Sequence, residues 1–148
     1  MSRTGIIYGI NGPVIYLKGN TGFKMSEMVY VGEEHLVGEV IALTKDTTTV
    51  QVFEETSGLK PGETVTATGD AISVTLGPGI LDNIFDGIQR PLSVIAEQSG
   101  KYISRGMQVD SLDTEKKWNV KFLVKEGDEV HGGTIFAQTQ ETASIMQI

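Results

Sequence analysis

The chain has 148 residues and a mass of 16.0 kDa, room for one ordinary domain or for a small domain and part of a second. It has no cysteine, which rules out disulfides and thiolate metal sites and fits a reducing compartment. Twelve basic residues face 19 acidic ones for a net charge of -7, and the basic residues are scattered, so nucleic acid is not expected as a partner.

No run approaches the roughly 20 apolar residues of a membrane helix. The apolar stretch after Met1-Ser2-Arg3-Thr4-Gly5 is broken by Gly9 and by Asn11-Gly12-Pro13, which makes it too short for a signal-peptide core. Eighteen glycines spread along the chain indicate many tight turns and hence β structure. Strands are predicted over Ile6–Ile10, Val14–Leu17, Met28–Val31, Leu36–Thr44, Thr48–Phe53 and Thr64–Thr68, with Ile72–Val74 as a last short one. Asn11-Gly12-Pro13, Lys45-Asp46 and Pro61-Gly62-Glu63 supply turns between them. So many short strands in about 75 residues protect their edges most simply by closing into a barrel, with Val50, Val52, Val65 and Ile72 inside.

The pattern changes at Leu76-Gly77-Pro78-Gly79. Ile80, Leu81, Ile84, Phe85 and Ile88 fall on one stripe of a helix, with Gly87 as a stop and Ile80, Ile84 and Phe85 seating it. A second short helix is predicted from Leu92 to Gln98, ending near Ser99-Gly100. From Leu112 β structure returns. Trp118, Val120, Phe122 and Val124 alternate with Asn119, Lys121 and Leu123 as a half-buried strand, and Ile135-Phe136-Ala137 begins another. One strand and a fragment cannot enclose a core, so the last 40 or so residues read as an unfinished domain. The strand around Trp118 is expected to lack partners, leaving this end mobile or paired with another copy.

Catalytic chemistry is sought without success. A P-loop requires Gly-x-x-x-x-Gly-Lys-[Ser/Thr], because backbone amides wrap the phosphates and the lysine reaches them. The one Gly-Lys pair, Gly100-Lys101, is followed by Tyr102, and Ile95 stands where the first glycine is needed. Gly77-Pro78-Gly79 reads as a turn rather than a phosphate cradle, since Pro78 removes a donor. His35, in a turn after Glu33-Glu34, and His131 are far apart and lack a spaced second ligand, so both read as solvated. No Gly-x-Ser-x-Gly elbow is present. Glu54 and Glu55, adjacent on a strand end, would point to opposite faces and read as solvated. Lys125 to Ile135 is similar to the Gly-Asp-x-Val-x-x-Gly turn of biotinyl and lipoyl carriers, but no lysine follows Lys125 for modification.

Three passages together resemble one family. They are Gln51-Val52-Phe53-Glu54-Glu55-Thr56-Ser57-Gly58-Leu59-Lys60-Pro61-Gly62-Glu63, then Leu76-Gly77-Pro78-Gly79-Ile80-Leu81, and Ile84-Phe85-Asp86-Gly87-Ile88-Gln89-Arg90-Pro91-Leu92. In this order and spacing they are similar to the N-terminal region of the catalytic A subunit of V-type and archaeal-type rotary ATPases. Gly5-Ile6-Ile7 with Asn11-Gly12-Pro13-Val14 resembles that family's first hairpin.

The resemblance implies a mostly β chain: a closed six-stranded barrel over residues 1–75, a connector with short helices over 76–109, and over 110–148 the incomplete start of a β-rich bulge that the B subunit lacks. It implies a parent enzyme that couples ATP hydrolysis or synthesis to proton or sodium translocation. The parent uses ATP and Mg and lies in the cytoplasm, peripheral to the membrane. The family's P-loop, catalytic carboxylate and helical domain follow the bulge. No catalytic, cofactor-binding or metal site is therefore expected within these 148 residues, which read as an N-terminal fragment. The implied partners are B subunits in an alternating hexameric ring, and peripheral-stalk subunits through the bulge. The alternatives are a small barrel gripping single-stranded nucleic acid, which lacks a basic groove with stacking aromatics, and a biotinyl or lipoyl carrier, which lacks its lysine.

Overall fold

The structure is a computed structural model describing residues 3–19, 22–81, 83–100 and 102–148. It divides into two units, Met1–Val74 with Ser99–Gln108, and Thr75–Gln98 with Val109–Ile148.

In the first unit apolar and polar residues alternate along six strands: β1 (Thr4–Asn11), β2 (Val14–Lys18), β3 (Glu27–Val31), β4 (Leu36–Leu43), β5 (Thr47–Val52) and β6 (Thr64–Ala71). They close as an antiparallel barrel in the order β1-β2-β5-β4-β3-β6, with β6 pairing back onto β1. Closure leaves no unpaired edge for another strand. Inward residues alternate, as a pleated strand requires: Ile7, Ile15, Leu17, Val29, Val31, Leu36, Val40, Val50, Val52 and Val65 form the core with Phe23. Three of the four residues expected inside are there. Ile72 is the correction: β6 runs on through the predicted gap to Ala71 and ends before it, leaving Ile72 outside the barrel and 38% exposed.

Three bulges interrupt the ladder. One extra residue, Tyr8, sits in β1 between Ile7↔Leu17 and Gly9↔Tyr16. Another, Ile41, sits in β4 between Val40↔Val50 and Ala42↔Thr49. An insertion of this kind shifts the phase of the pleat, so Ile10 and Leu43 pack against the core beyond it. The third bulge, where β6 meets β3 between Glu27↔Ala71 and Val29↔Ala67, takes Gly69 out of the ladder with φ +102°.

That bulge explains the buried acid of the barrel. Glu27 is 1% exposed. Its Oε1 accepts from the freed amide of Gly69 at 2.9 Å and pairs with the Arg3 guanidinium, while Oε2 accepts from the Lys24 amide at 2.8 Å. Arg3 also donates to the Gly22 carbonyl. One carboxylate thus ties together the first strand's start, the loop before β3 and the bulge of β6.

Three turns share a pattern in which an acid caps the lysine three residues before it. The Glu27 amide bonds to Lys24 O, Glu63 to Lys60 O and Asp128 to Lys125 O, while each carboxylate accepts from that lysine's amide at 2.8 Å. The positive φ these turns require is supplied by Gly62 (+100°) and Gly127 (+93°) in two of them and by Ser26 (58°) in the third.

In the second unit the stripe from Ile80 to Ile88 does not form a helix among the described residues, and Asp82 lies outside them. Local side-chain bonding wins over apolar periodicity. Asp86 Oδ1 accepts from the amides of Ile88 (3.0 Å) and Arg90 (2.9 Å), and Oδ2 takes the Arg90 guanidinium at 2.7 Å. Gln89 adopts φ 62°, the Asp86 amide bonds to Arg90 O, and that of Leu92 bonds to Ile84 O. The residue before a proline is also kept out of the helical region. The segment therefore folds as a tight hairpin with Phe85 bridged to Pro91, and Ile84 is 74% exposed. The second predicted helix is present as α1 (Leu92–Ser99). Its first bond runs from Ile95 to the Pro91 carbonyl, it buries Ile95, and Gly100 follows it at φ 74°.

The remaining strands are β7 (Val120–Phe122), β8 (Ala137–Gln140) and β9 (Met146–Gln147), a sheet in that order. The strand expected from Trp118 to Val124 is thus shorter, and it has a partner: Val120 to Phe122 pair with Thr139 to Ala137. It is also not half-buried, since Val120 and Phe122 are 49% and 69% exposed.

Asp86 gives this unit an acid sensitivity. Burial would raise its pKa, but the Arg90 amide, the Arg90 guanidinium and the Ile88 amide outweigh it and hold the carboxyl below the ordinary aspartate value. A depressed carboxyl stabilises the fold above the unfolded-state value of about 3.9 and ceases to as pH falls through the lower folded value. The amide shifts of Ile88 and Arg90 are expected to titrate together with a midpoint below ~3.9. A midpoint at or above that value would rule out the clamp.

Candidate functional site

The candidate surface is the outside of the barrel, and the pleat that fills the core decides what it presents. On β1 and β2 the outward positions carry Thr4, Ile6, Tyr8, Val14, Tyr16 and Lys18. Ile6 and Tyr8 are 50% and 52% exposed. The Tyr8 and Tyr16 rings lie 6.2 Å apart, and the Tyr8 hydroxyl is 3.3 Å from Thr47 Oγ1. On β3 and β4 the outward positions carry Met28, Tyr30, Val37, Glu39 and Ile41, with Ile41 38% exposed. The two strands that separate these hairpins are polar outside: Thr47, Thr49 and Gln51 on β5, and Thr64, Thr66, Thr68 and Asp70 on β6.

At one end of the barrel the segment Ser99–Gln108 returns to it. The Arg105 guanidinium pairs with Glu34 at 3.1 Å and reaches the Glu55 carbonyl at 3.5 Å, and the Gly106 amide donates to Glu54 Oε2 at 3.0 Å. Gly106, at φ +65°, lies so close that a Cβ would stand 1.9 Å from the Glu34 carbonyl oxygen. Only glycine fits there. Glu54 is therefore not the solvated strand end expected of it: it holds this returning segment. Glu55 is exposed, and bonds from the Ser57 hydroxyl and amide lower its pKa. Both residues lie beyond β5, which ends at Val52, so they are not on the strand end expected of them.

His35 sits in the turn before β4 with its Nδ1 2.9 Å from the Glu33 carbonyl. His131 is exposed, 3.8 Å from Glu129. Among the described residues no group of three or more His, Cys, Asp or Glu could hold a metal ion, and no helix is long and apolar enough to cross a membrane. Gly77–Gly79 is a turn, with the Ile80 amide 3.3 Å from Gly77 O. The amides of Gly79 and, two residues on, Leu81 reach Glu141 Oε1 at 2.7 and 3.0 Å. Burial pushes the Glu141 pKa up, but those amides, Gln147 and Lys116 bring it below the ordinary glutamate value. Lys116 Nζ lies 4.3 Å from the Trp118 ring centroid, a cation–π contact. The amides of Gly79 and Leu81 are therefore occupied by a carboxylate of the chain itself.

Residues 7–69 match the beta-barrel domain of the ATP synthase alpha/beta family, and residues 109–148 match that family's barrel-sandwich domain. The chain belongs to the ATP synthase alpha/beta family. Within it the similarity runs to the A subunits of V-type and A-type enzymes. The V-type ATP synthase alpha chain of Halothermothrix orenii is 50% identical over 145 residues, 98% of this chain and 25% of that one. The A subunit of the A-type ATP synthase of Methanosphaera stadtmanae is 51% identical over 143 residues, 97% and 24% of the two chains. The V-type ATP synthase alpha chain 2 of Clostridium tetani is 52% identical over 141 residues, 95% and 24%. This chain spans about a quarter of the length of these relatives.

Arg3, Glu27, Asp86 and Arg105 were not singled out by sequence reasoning. Glu27 carried one signal, its place on the inward phase of β3. Asp86 carried another, an Asp-Gly followed by Arg-Pro inside an apparent helix.

Proposed function

We propose that this chain is the N-terminal part of the catalytic A subunit of a V/A-type rotary ATPase, which couples ATP hydrolysis or synthesis to proton or sodium translocation. Residues 1–75 supply the ring-forming barrel, residues 76–109 lead to the nucleotide-binding domain, and residues 110–148 begin the bulge insertion. The parent binds ATP and Mg beyond this chain and works in the cytoplasm, peripheral to the membrane. The partners of the barrel are B subunits in an alternating ring, and the bulge faces peripheral-stalk subunits.

The observation that carries this reading is a barrel closed on all six strands that still shows tyrosine and isoleucine to solvent. A closed barrel cannot recruit a neighbour by adding a strand, so apolar side chains on its outside are its means of association. The test is co-expression of the chain with the B subunit of its complex, followed by size exclusion with light scattering. Co-elution in a defined complex is expected. A chain that elutes alone at micromolar concentration of both would overturn the assembly role.

A further inference from the structure

The second unit is made of two stretches of chain, 75–98 and 109–148. Each has bonds of its own. In the first, Asp86 clasps Ile88 and Arg90, and the Gln89 side chain exchanges two bonds with the Thr75 backbone at 2.6 and 2.7 Å. In the second, β7, β8 and β9 form a ladder, and Gln140 Nε2 donates to the carbonyls of Thr142 and Ile145 beyond it. Among the described residues α1 has no extensive packing against any of these three strands.

Three residues of the second stretch converge on one turn of the first, from Gly77 to Leu81. Leu112 lies against Gly77, where an added Cβ would stand 3.1 Å from its Cδ1. The Trp118 ring lies against Gly79, its Cζ2 3.5 Å from the place a Cβ would take. Glu141 holds the amides of Gly79 and Leu81 on one oxygen. Its other oxygen accepts from Gln147, so β9 hangs on the same carboxylate. Bonds to an ionised acceptor are among the strong ones. Beside Trp118 and Glu141 lies a cavity of about 260 Å³ that also touches Lys116 and Asn83. Protein interiors are close-packed, so open space here leaves the ring and the carboxylate room to part from the turn.

We infer that Glu141 is a latch: it fastens residues 109–148 to the Gly77–Leu81 turn, and its release lets the two stretches part while each keeps its own fold. A residue that merely stabilised the unit would loosen both stretches alike when removed. Glu141 sits at the joint instead, bonded to the backbone of one stretch and to the last strand of the other. The latch stands apart from the assembly reading, since all its parts lie in this chain.

The experiment compares the whole chain with Glu141→Ala and Glu141→Gln. Trp118 is the one tryptophan, so its quenching by acrylamide reports the joint. Amide hydrogen exchange reads the joint and the two stretches separately. In Glu141→Ala the Gly79 and Leu81 amides are expected to exchange at least ~10-fold faster, a change that loss of a bond to a charged acceptor supports. Trp118 should become more open to the quencher. The Arg90 amide on Asp86 and the Leu123 amide on the Phe136 carbonyl should keep the rates of the parent chain. Glu141→Gln, which keeps the volume and one acceptor oxygen, should fall between.

Equal acceleration of the Arg90 and Leu123 amides would make Glu141 a general support and overturn the latch. Faster exchange at Gly79 and Leu81 with Trp118 no more accessible would mean lost bonds without release, and would overturn it too. Unchanged exchange at those two amides has the same consequence. Where Glu141→Ala does not fold, Glu141→Gln decides by the same three readouts.

Discussion

Replacing Glu27 by alanine is expected to lower the stability of the barrel by about 3–5 kcal/mol, the range for removing one partner of a buried ion pair. The carboxylate has three partners: Arg3 and the amides of Lys24 and Gly69. Truncation takes this acceptor from the amides of Lys24, in the loop before β3, and Gly69, in the bulge of β6, and an amide left unpaired away from water costs roughly 1–3 kcal/mol. Arg3 suffers less, since its side chain is 29% exposed and can turn to solvent. Glu27→Gln, which keeps one acceptor and the volume, should therefore lose less than Glu27→Ala. Urea denaturation followed by tyrosine fluorescence measures both. A loss below ~1 kcal/mol for Glu27→Ala would mean that the bulge of β6 holds without its carboxylate.

The second large effect is expected at Gly38. It lies on β4 with its Cα facing the barrel interior, opposite Val29 and Val52 in the ladder. A Cβ there would stand 2.8 Å from the Gln51 carbonyl oxygen and 2.9 Å from Val50 Cγ1. The backbone oxygen belongs to a paired strand and cannot turn aside, so relief requires β4 and β5 to part. Overpacking of this kind costs typically about 1–3 kcal/mol, and the backbone contact places Gly38→Ala toward the upper end. Gly62→Ala is a useful contrast. Gly62 has open space around it but φ +100°, so its penalty is backbone strain alone. The readout is again denaturant midpoint. Equal stability of Gly38→Ala and the parent chain would mean that the barrel breathes enough to admit a methyl group.

Much of the barrel is legible along the chain, and the reason is local. Val50 and Val52 alternate with Thr49 and Gln51, and a pleated strand can only send one set inward. Turns announce themselves through Pro61-Gly62 and through the acids that cap lysine amides three residues back. The helix misread between Ile80 and Ile88 shows the limit of this logic. Its periodicity is genuine, but Asp86 offers the amides of Ile88 and Arg90 a closer acceptor than a helix would, and Pro91 blocks continuation. The candidate surface was less legible. Tyr8 and Ile41 sit in strands whose apolar residues run on both faces, and alternation alone cannot tell which of them a bulge will push outward.

The sequence by itself determined that the chain is mostly β, that it has no P-loop, and that its strands are short enough to favour closure. Those properties depend on neighbours a few residues apart. Only the tertiary structure decided the order β1-β2-β5-β4-β3-β6, the bulges at Tyr8, Ile41 and Gly69, and the burial of Glu27 against Arg3. The closure and the buried acid join residues far apart in the chain, Thr4 with Thr66 across β1 and β6 and Glu27 with Gly69, 42 positions away. A bulge is the outcome of two strands competing for register, and an inward acid becomes tolerable only when the bulge frees a donor to meet it.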